Sequence, residues 1–393
     1  MMPASHGERL RNCKLKGYNA ILAVLILSWA GSIQSLLAAE NDPVEQSPEP
    51  NNEEQSGKFL PLPIFITEPA IGEGLGAALV YFHKEKKDDR LNATTGRALT
   101  RTGKRLKPPP TATGIFGAYT NDDTAIVGIG HSNSFMDDRY RVLGATAETR
   151  INSQLYLADR PFDFTFEGNL LYASLKTRLG DSNAFFGITT SYVDANIDFT
   201  TGLTEFDNTS LLDFSFVDVG LAASLIYDTR DNTLMPTSGY IVDLTTWRYD
   251  ETFGGDFDYQ KHILKQNTYF AFAENYVLGL RLDLSSADGD IPFYARPYVK
   301  LRGIPALRYQ GESAGAVEIE LRRRLGERWL VSAFSGTGWT DVRAEHTETD
   351  DDIKTLGFGL RYLALKEQDA WVGIDIAEGP EDTTVYIQMG NAW

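Results

Sequence analysis

Apolar and polar residues alternate with a period of two along most of the 393-residue chain. Leu278, Leu280, Leu282 and Leu284 fall on one face, and Gly279, Arg281, Asp283 and Ser285 on the other. Val317, Ile319 and Leu321 alternate with Glu318, Glu320 and Arg322. Leu356, Phe358, Leu360 and Tyr362 alternate with Gly357, Gly359 and Arg361, and Val372, Ile374 and Ile376 with Gly373 and Asp375. Successive side chains leave a β-strand on opposite sides, so this pattern predicts strands with one apolar and one polar face. Such segments run over 62–67, 75–83, 112–119, 123–132, 139–153, 162–178, 184–199, 214–228, 239–250, 259–273, 276–286, 315–325, 328–340, 355–365, 370–377 and 384–393. Sixteen is an even number, as a single-chain bacterial barrel requires.

A soluble sandwich would show the same alternation. Two features favour lipid instead. Aromatic residues cluster near strand ends, where a membrane girdle would lie. The connections also alternate between long acidic ones (Thr200–Asp213, Asp250–Tyr259, Asp341–Lys354) and short ones (Leu179–Asn183, Ala273–Asn275, Leu325–Arg328). Long outer loops and short periplasmic turns are the outer-membrane habit. The expected fold is all-β: a transmembrane antiparallel β-barrel over 59–393, in the outer membrane of a Gram-negative bacterium, with both ends in the periplasm.

The N-terminus agrees with export. Arg9, Arg11, Lys14 and Lys16 precede an apolar run from Ala20 to Ala30, and Ala38 and Ala39 supply small residues for cleavage, so residues 1–39 read as a signal peptide. Cys13, the single cysteine, leaves with it, which removes disulfides and thiol chemistry from the mature chain. The full chain carries a net charge of −17; without the signal it has 33 basic and 53 acidic residues, a net of −20, and nucleic acid is excluded as a partner. Residues 40–58 are acidic, Pro-bearing and too poor in apolar residues to fold, and read as a linker. Lys84–Lys107, with nine basic and three acidic residues, reads as an inserted loop, either solvated or anion-binding.

Signs of catalysis are missing. The histidines of the mature chain (His83, His131, His262, His346) sit in no catalytic pattern, and there is no Gly-x-Ser-x-Gly elbow. The run Thr347–Asp352 lacks the layout of a calcium loop. No metal, cofactor or enzyme activity is expected. What remains is Leu301–Glu312, LRGIPALRYQGE, a basic insert punctuated by Gly and Pro between two strand-like segments. On the residues alone, Arg302 could line a pore with Arg281, Arg322 and Arg361.

Four stretches carry a family resemblance: the turn DTRDNTLMPTSGY (Asp228, Arg230, Asp231, Asn232, Pro236, Gly239), the segment PFYARPYVKLRG (Pro292–Gly303), GFGLRY (Gly357–Tyr362), and the Trp393-terminated last strand. Together they resemble the barrel of the bacterial surface antigen superfamily, the BamA/TamA family of outer-membrane proteins. The match is close over 230–393 and rests on pattern alone over 60–230. The resemblance implies that the sixth extracellular loop folds into the lumen and that Arg302, followed by Gly303, meets carboxylates on the inner wall. Glu318 and Glu320 face inward by the alternation above, with Glu320 the better match to the family acid. The family's other acid position is occupied by Gly336, so the loop is expected either to be held more loosely or to use Asp375 instead, with Arg361 also on the inner phase. Ile304 stands where the family has an aromatic.

The same resemblance implies a weak seam between first and last strands, loosened here by a short first strand and by Gly390 within the last strand, beside Met389 and the terminal aromatic signal. Its function would be to help insert or move polypeptide or lipid at the outer membrane. Its partners would be outer-membrane lipid, lipopolysaccharide, unfolded outer-membrane proteins or a periplasmic protein. The chain would be a short form without the POTRA domains that recruit clients in relatives. The competing readings are a passive or gated pore, and a surface antigen acting through loops such as Asp341–Lys354.

Overall fold

A computed structural model describes residues 58–68, 70–83, 111–136, 138–157, 160–200, 210–232, 235–341, 353–365 and 370–393. The signal peptide, nearly all of the acidic linker, the basic insert, His346 and Thr347–Asp352 lie outside them. Sixteen strands follow one another in space as they do in sequence. They are β1 (Lys58–Glu68), β2 (Gly72–Phe82), β3 (Ala112–Thr120), β4 (Ala125–Phe135), β5 (Tyr140–Leu157), β6 (Arg160–Arg178), β7 (Ala184–Thr200) and β8 (Ser210–Asp228). The second half comprises β9 (Gly239–Tyr249), β10 (Tyr259–Ala273), β11 (Tyr276–Gly289), β12 (Ser313–Leu325), β13 (Trp329–Thr340), β14 (Ile353–Leu365), β15 (Ala370–Glu378) and β16 (Thr383–Met389). Every neighbouring pair is antiparallel, and the sheet curls until β1 stands beside β16.

The faces follow the alternation. Leu280, Val317, Ile319, Leu321, Leu356, Phe358, Leu360, Val372, Ile374 and Ile376 are exposed on the outside, while Asp283, Ser285, Glu318, Glu320, Arg322, Arg361 and Asp375 are buried inside. This is the arrangement a lipid-facing barrel needs, since hydrocarbon satisfies no polar group. No helix among the described residues is long and apolar enough to cross a membrane, which says nothing of strands.

The first and last strands depart from expectation. β1 is 11 residues long and starts at Lys58, so it is not short. Pro61 and Pro63 look like strand breakers but sit on the sheet edge, where a missing N–H is tolerated. The short strand is β16, with seven residues. It ends at Met389, whose side chain lies outside the described residues. Gly390 follows the strand rather than interrupting it, and its φ of 75° lies in the left-handed region that turns the last residues away. Trp393 therefore does not continue the outer face of β16.

Connections at one end of the barrel include β8–β9; by strand parity the β2–β3 connection, which holds the basic insert, emerges at the same end. A long connection thus breaks the expected rule there, and the opposite-end connections β1–β2 and β3–β4 are short.

Candidate functional site

Residues 290–312 link β11 to β12 and make contact with the inner wall on two sides. On one side the contact is aromatic. Phe293, Tyr294, Ala295, Tyr298 and Leu307 share a buried cluster with inward residues of β5 to β10, among them Phe164, Phe166, Phe216, Trp247, Tyr249 and Tyr259. Buried Asp218 is bracketed by the hydroxyls of Tyr259, at 2.9 Å, and Tyr294. Lys261 Nζ donates to the Ala295 carbonyl at 2.7 Å.

On the other side the contact is ionic. Arg302 Nη2 donates to Glu318 Oε1 at 2.5 Å, and Nη1 donates to Asp375 Oδ2 at 2.8 Å. Glu320 Oε2 is also 2.8 Å from Nη1, yet Glu320 Oε1 takes its hydrogen bond from Arg322 Nε at 2.5 Å. The principal hydrogen-bond acceptors of Arg302 are therefore Glu318 and Asp375, and Glu320 contributes its charge. Arg361 grips Asp375 with both terminal nitrogens, Nη2 at 2.9 Å, and Gln388 donates to the same carboxylate. The Arg302 guanidinium lies 3.4 Å from the Phe334 ring centroid. Leu301 fills the space that a side chain at Gly336 would need, and Ile304 packs with Val299, Leu301, Ala316 and Ile353.

Three arginines and three carboxylates meet here, so the buried charges cancel. Forked, charge-assisted contacts of this type are strong and geometrically specific. Burial disfavours the Arg302 cation, but Glu320, Glu318 and Asp375 outweigh it and hold its pKa above the usual arginine value. Arg281, on the same inner phase, pairs with Asp283 at 3.3 Å on its own strand.

The β8–β9 turn is tied to the same wall. Asp228 accepts two hydrogen bonds from the Arg230 guanidinium, at 2.9 and 2.8 Å. Asp231 accepts from the backbone N–H of Thr237 at 2.9 Å and of Ser238 at 3.1 Å. Asn232 Oδ1 accepts from Met235 N at 3.1 Å. Gly239 has a φ of 93°, and a Cβ there would meet the Thr229 carbonyl at 2.3 Å. The Pro236 carbonyl then accepts from Arg322 Nη1 at 3.1 Å. Arg322 also donates to Asn391, and Trp393 folds inward, stacking on Tyr269 and donating from Nε1 to Glu318. The loop, the turn and the C-terminus thus converge on β12. The alternation put Arg322 on the inner phase, but no local signal joined it to a turn 86 residues away.

The seam is the second feature. No hydrogen-bonded ladder joins β1 to β16 among the described residues. β1 keeps unbroken register with β2 from Lys58↔Phe82 to Glu68↔Gly72, including Pro61↔Leu79 and Pro63↔Ala77. A proline has no N–H to donate, so in an unbroken ladder both proline positions must face the free edge. Two donors that could have met β16 are therefore missing.

The loop crosses this gap at one end. Ala306 N donates to Glu68 Oε1 of β1 at 3.0 Å. On the other side, Gly303 N donates to Tyr386 Oη of β16 at 2.8 Å, and Arg308 Nε to Glu381 Oε1, next to β16, at 3.0 Å. Glu68, Tyr386 and Glu381 were not singled out in the sequence.

A family model described as the Omp85 superfamily domain matches residues 74–299. No curated protein matches the sequence significantly. Among solved structures, BamA from Haemophilus ducreyi lacking POTRA domains 1-3 superposes with a TM-score of 0.57 at 11% identity, covering 92% of this chain and 77% of that one. CdiB from Escherichia coli gives 0.57 at 12% identity, covering 90% and 68%. CdiB from Acinetobacter baumannii gives 0.53 at 8% identity, covering 85% and 59%. At such identities the likeness is one of barrel fold.

Proposed function

The chain belongs to the Omp85 superfamily, and from that premise we propose that it helps insert or move polypeptide or lipid at the outer membrane through the seam between β1 and β16. The family and the barrel fold indicate a Gram-negative outer-membrane protein. The observation that carries the reading is the unpaired seam. Backbone groups left without partners in hydrocarbon cost several kcal/mol each, so an open edge in a membrane is a standing demand for a partner. A strand arriving at the β16 side of that edge gains main-chain hydrogen bonds, while the β1 side lacks the donors of Pro61 and Pro63.

In this reading the mechanism is non-covalent and needs no cofactor. Arg302 and Gly303, held by Glu318, Glu320, Asp375 and Tyr386, anchor the loop to the β12–β16 side. Ala306 reaches across to Glu68, so releasing that contact frees β1 to swing away while the ionic anchor stays. Asp228, Arg230, Asp231, Pro236 and Gly239 fix the opposite end, and Gly390 shortens the edge that β16 offers. Outer-membrane lipid and lipopolysaccharide surround the seam, and unfolded outer-membrane proteins or a periplasmic protein are the partners it would serve. A steady pore is disfavoured by the loop, turn and C-terminus inside the lumen.

The test is a photoreactive residue at Ile387 of β16, with adducts from living cells identified by mass spectrometry. Adducts to other barrel precursors or to lipopolysaccharide are expected. Adducts only within the chain itself would sink the reading.

A further inference from the structure

Beside the seam the inner wall changes character. The middle inward positions of β1 to β4 include Leu62, Ile64, Ala78, Val80, Ala112, Gly114, Phe116 and Gly130, where β12 to β15 carry charges. These residues line a cavity of about 310 Å³ that runs to Gln388, Asn391 and Ala392 on the far side of the seam. Of its 19 lining residues only His131, Ser132, Gln388 and Asn391 have polar side chains, and none is an acid, a lysine or an arginine. The volume is at the lower end of the range for small-molecule sites, roughly 300–1,000 Å³.

From these features we infer that the cavity holds one acyl chain of a membrane lipid, inserted from the hydrocarbon through the seam. Three observations select that occupant. First, the lining also includes Pro63, Phe65, Val372 and Ile387, which lie on the outward phase of β1, β15 and β16, so the cavity is continuous with the lipid-facing surface. Second, the edge along this stretch has lost the N–H groups of Pro61 and Pro63. A methylene chain leaves no donor unsatisfied there, whereas an added strand would find two of its carbonyls without partners.

Third, the space is not forced by the backbone. A Cβ at Gly76 or Gly128 would collide at 2.4 Å with the Gly117 carbonyl or at 2.5 Å with the Phe116 ring, so glycine is required there. At the cavity-lining Gly114 and Gly130 the nearest atoms are 3.4 and 3.5 Å away, which is ordinary contact. A Cβ would be tolerated at both positions, and its absence widens an apolar slot. Burying a methylene in such a slot exchanges one apolar contact for another, while letting water in would hydrate wall residues that offer it almost no hydrogen bonds. The occupant does not depend on the barrel handling polypeptide.

The experiment uses the full barrel folded into phosphatidylethanolamine–phosphatidylglycerol vesicles containing a trace of phospholipid with a diazirine at the end of one acyl chain. Peptide mapping after illumination should find adducts on inward Ala78, Val80 and Ala112 as well as on outward Leu79 and Ile129. Two filling variants, Gly114→Leu and Ala78→Leu, should lose the inward adducts and keep the outward ones, which also report that they have folded and inserted. Inward residues that stay unlabelled, or that label equally in both variants, would overturn the inference. So would inward labelling by an unfolded barrel precursor carrying photoreactive residues when the lipid probe gives none, because the occupant would then be polypeptide.

Discussion

The wall formed by β1 to β4 and the wall formed by β12 to β15 are built from the same strand geometry and do opposite things. Inside β12 to β15, Glu318, Glu320, Arg322, Arg361 and Asp375 bind one another, the loop through Arg302, and the C-terminus through Trp393 and Asn391. Inside β1 to β4 the inward positions beside the seam carry, among the described side chains, no charge apart from Glu68 at one end, and the outer edge lacks the donors of Pro61 and Pro63. One wall is cross-linked by a network of charged contacts; the other, beyond its ladder, holds the loop through the bond from Ala306 N to Glu68. In a barrel that must part somewhere, the side with fewer cross-links parts first, because local opening follows the lowest density of stabilising contacts.

Four substitutions would break or sharpen this contrast. The largest effect is expected at the charged wall, where Asp375→Ala would leave Arg302, Arg361 and Gln388 without a shared acceptor. Removing one member of a buried ion pair costs about 3–5 kcal/mol, read as a lower urea midpoint for the barrel in vesicles. Next comes Leu282→Arg on the outer face of β11, which should cost about 2–4 kcal/mol near the bilayer midplane; an unchanged folding yield would mean that the faces are assigned wrongly. Gly76→Ala, inside the apolar wall, should cost about 1–3 kcal/mol because its Cβ meets backbone. Gly114→Ala, two strands from the edge on the same wall, should stabilise by at most about 1 kcal/mol through the unfolded chain, since its Cβ meets only ordinary contacts. If Gly76→Ala and Gly114→Ala behaved alike in the same urea series, the cavity beside the seam would not be the open space described.

A further check concerns the ionic anchor alone. In a double-mutant cycle, Arg302→Ala and Glu318→Ala should couple by about 0.5–3 kcal/mol, as contacting residues do, and simple additivity would contradict the contact.

The barrel was legible in the sequence because a period of two is a direct image of the strand, and it runs through β11, β12, β14 and β15 without interruption. Inward phase alone put Glu318, Glu320, Arg361 and Asp375 on one surface. What alternation does not encode is distance across the lumen. Which acid Arg302 would meet depended on how the loop crossed the interior, and its hydrogen bonds go to Glu318 and Asp375. The inward turn of Trp393 hinges on the φ of a single glycine, Gly390, and on partners in β10 and β12 far away in sequence. The first strand, expected over 62–67, runs from Lys58 through Pro61 and Pro63 because an edge strand needs only every second N–H.

Amide hydrogen exchange of the barrel in lipid vesicles tests the contrast between the two walls most directly. Backbone N–H groups at the free edges of β1 and β16 should exchange far faster than those of β12 to β14, which have a hydrogen-bonded neighbour on both sides. Equal protection of β1, β16 and the charged wall would mean that the seam is closed by hydrogen bonds, and the contrast between the walls would fall with it.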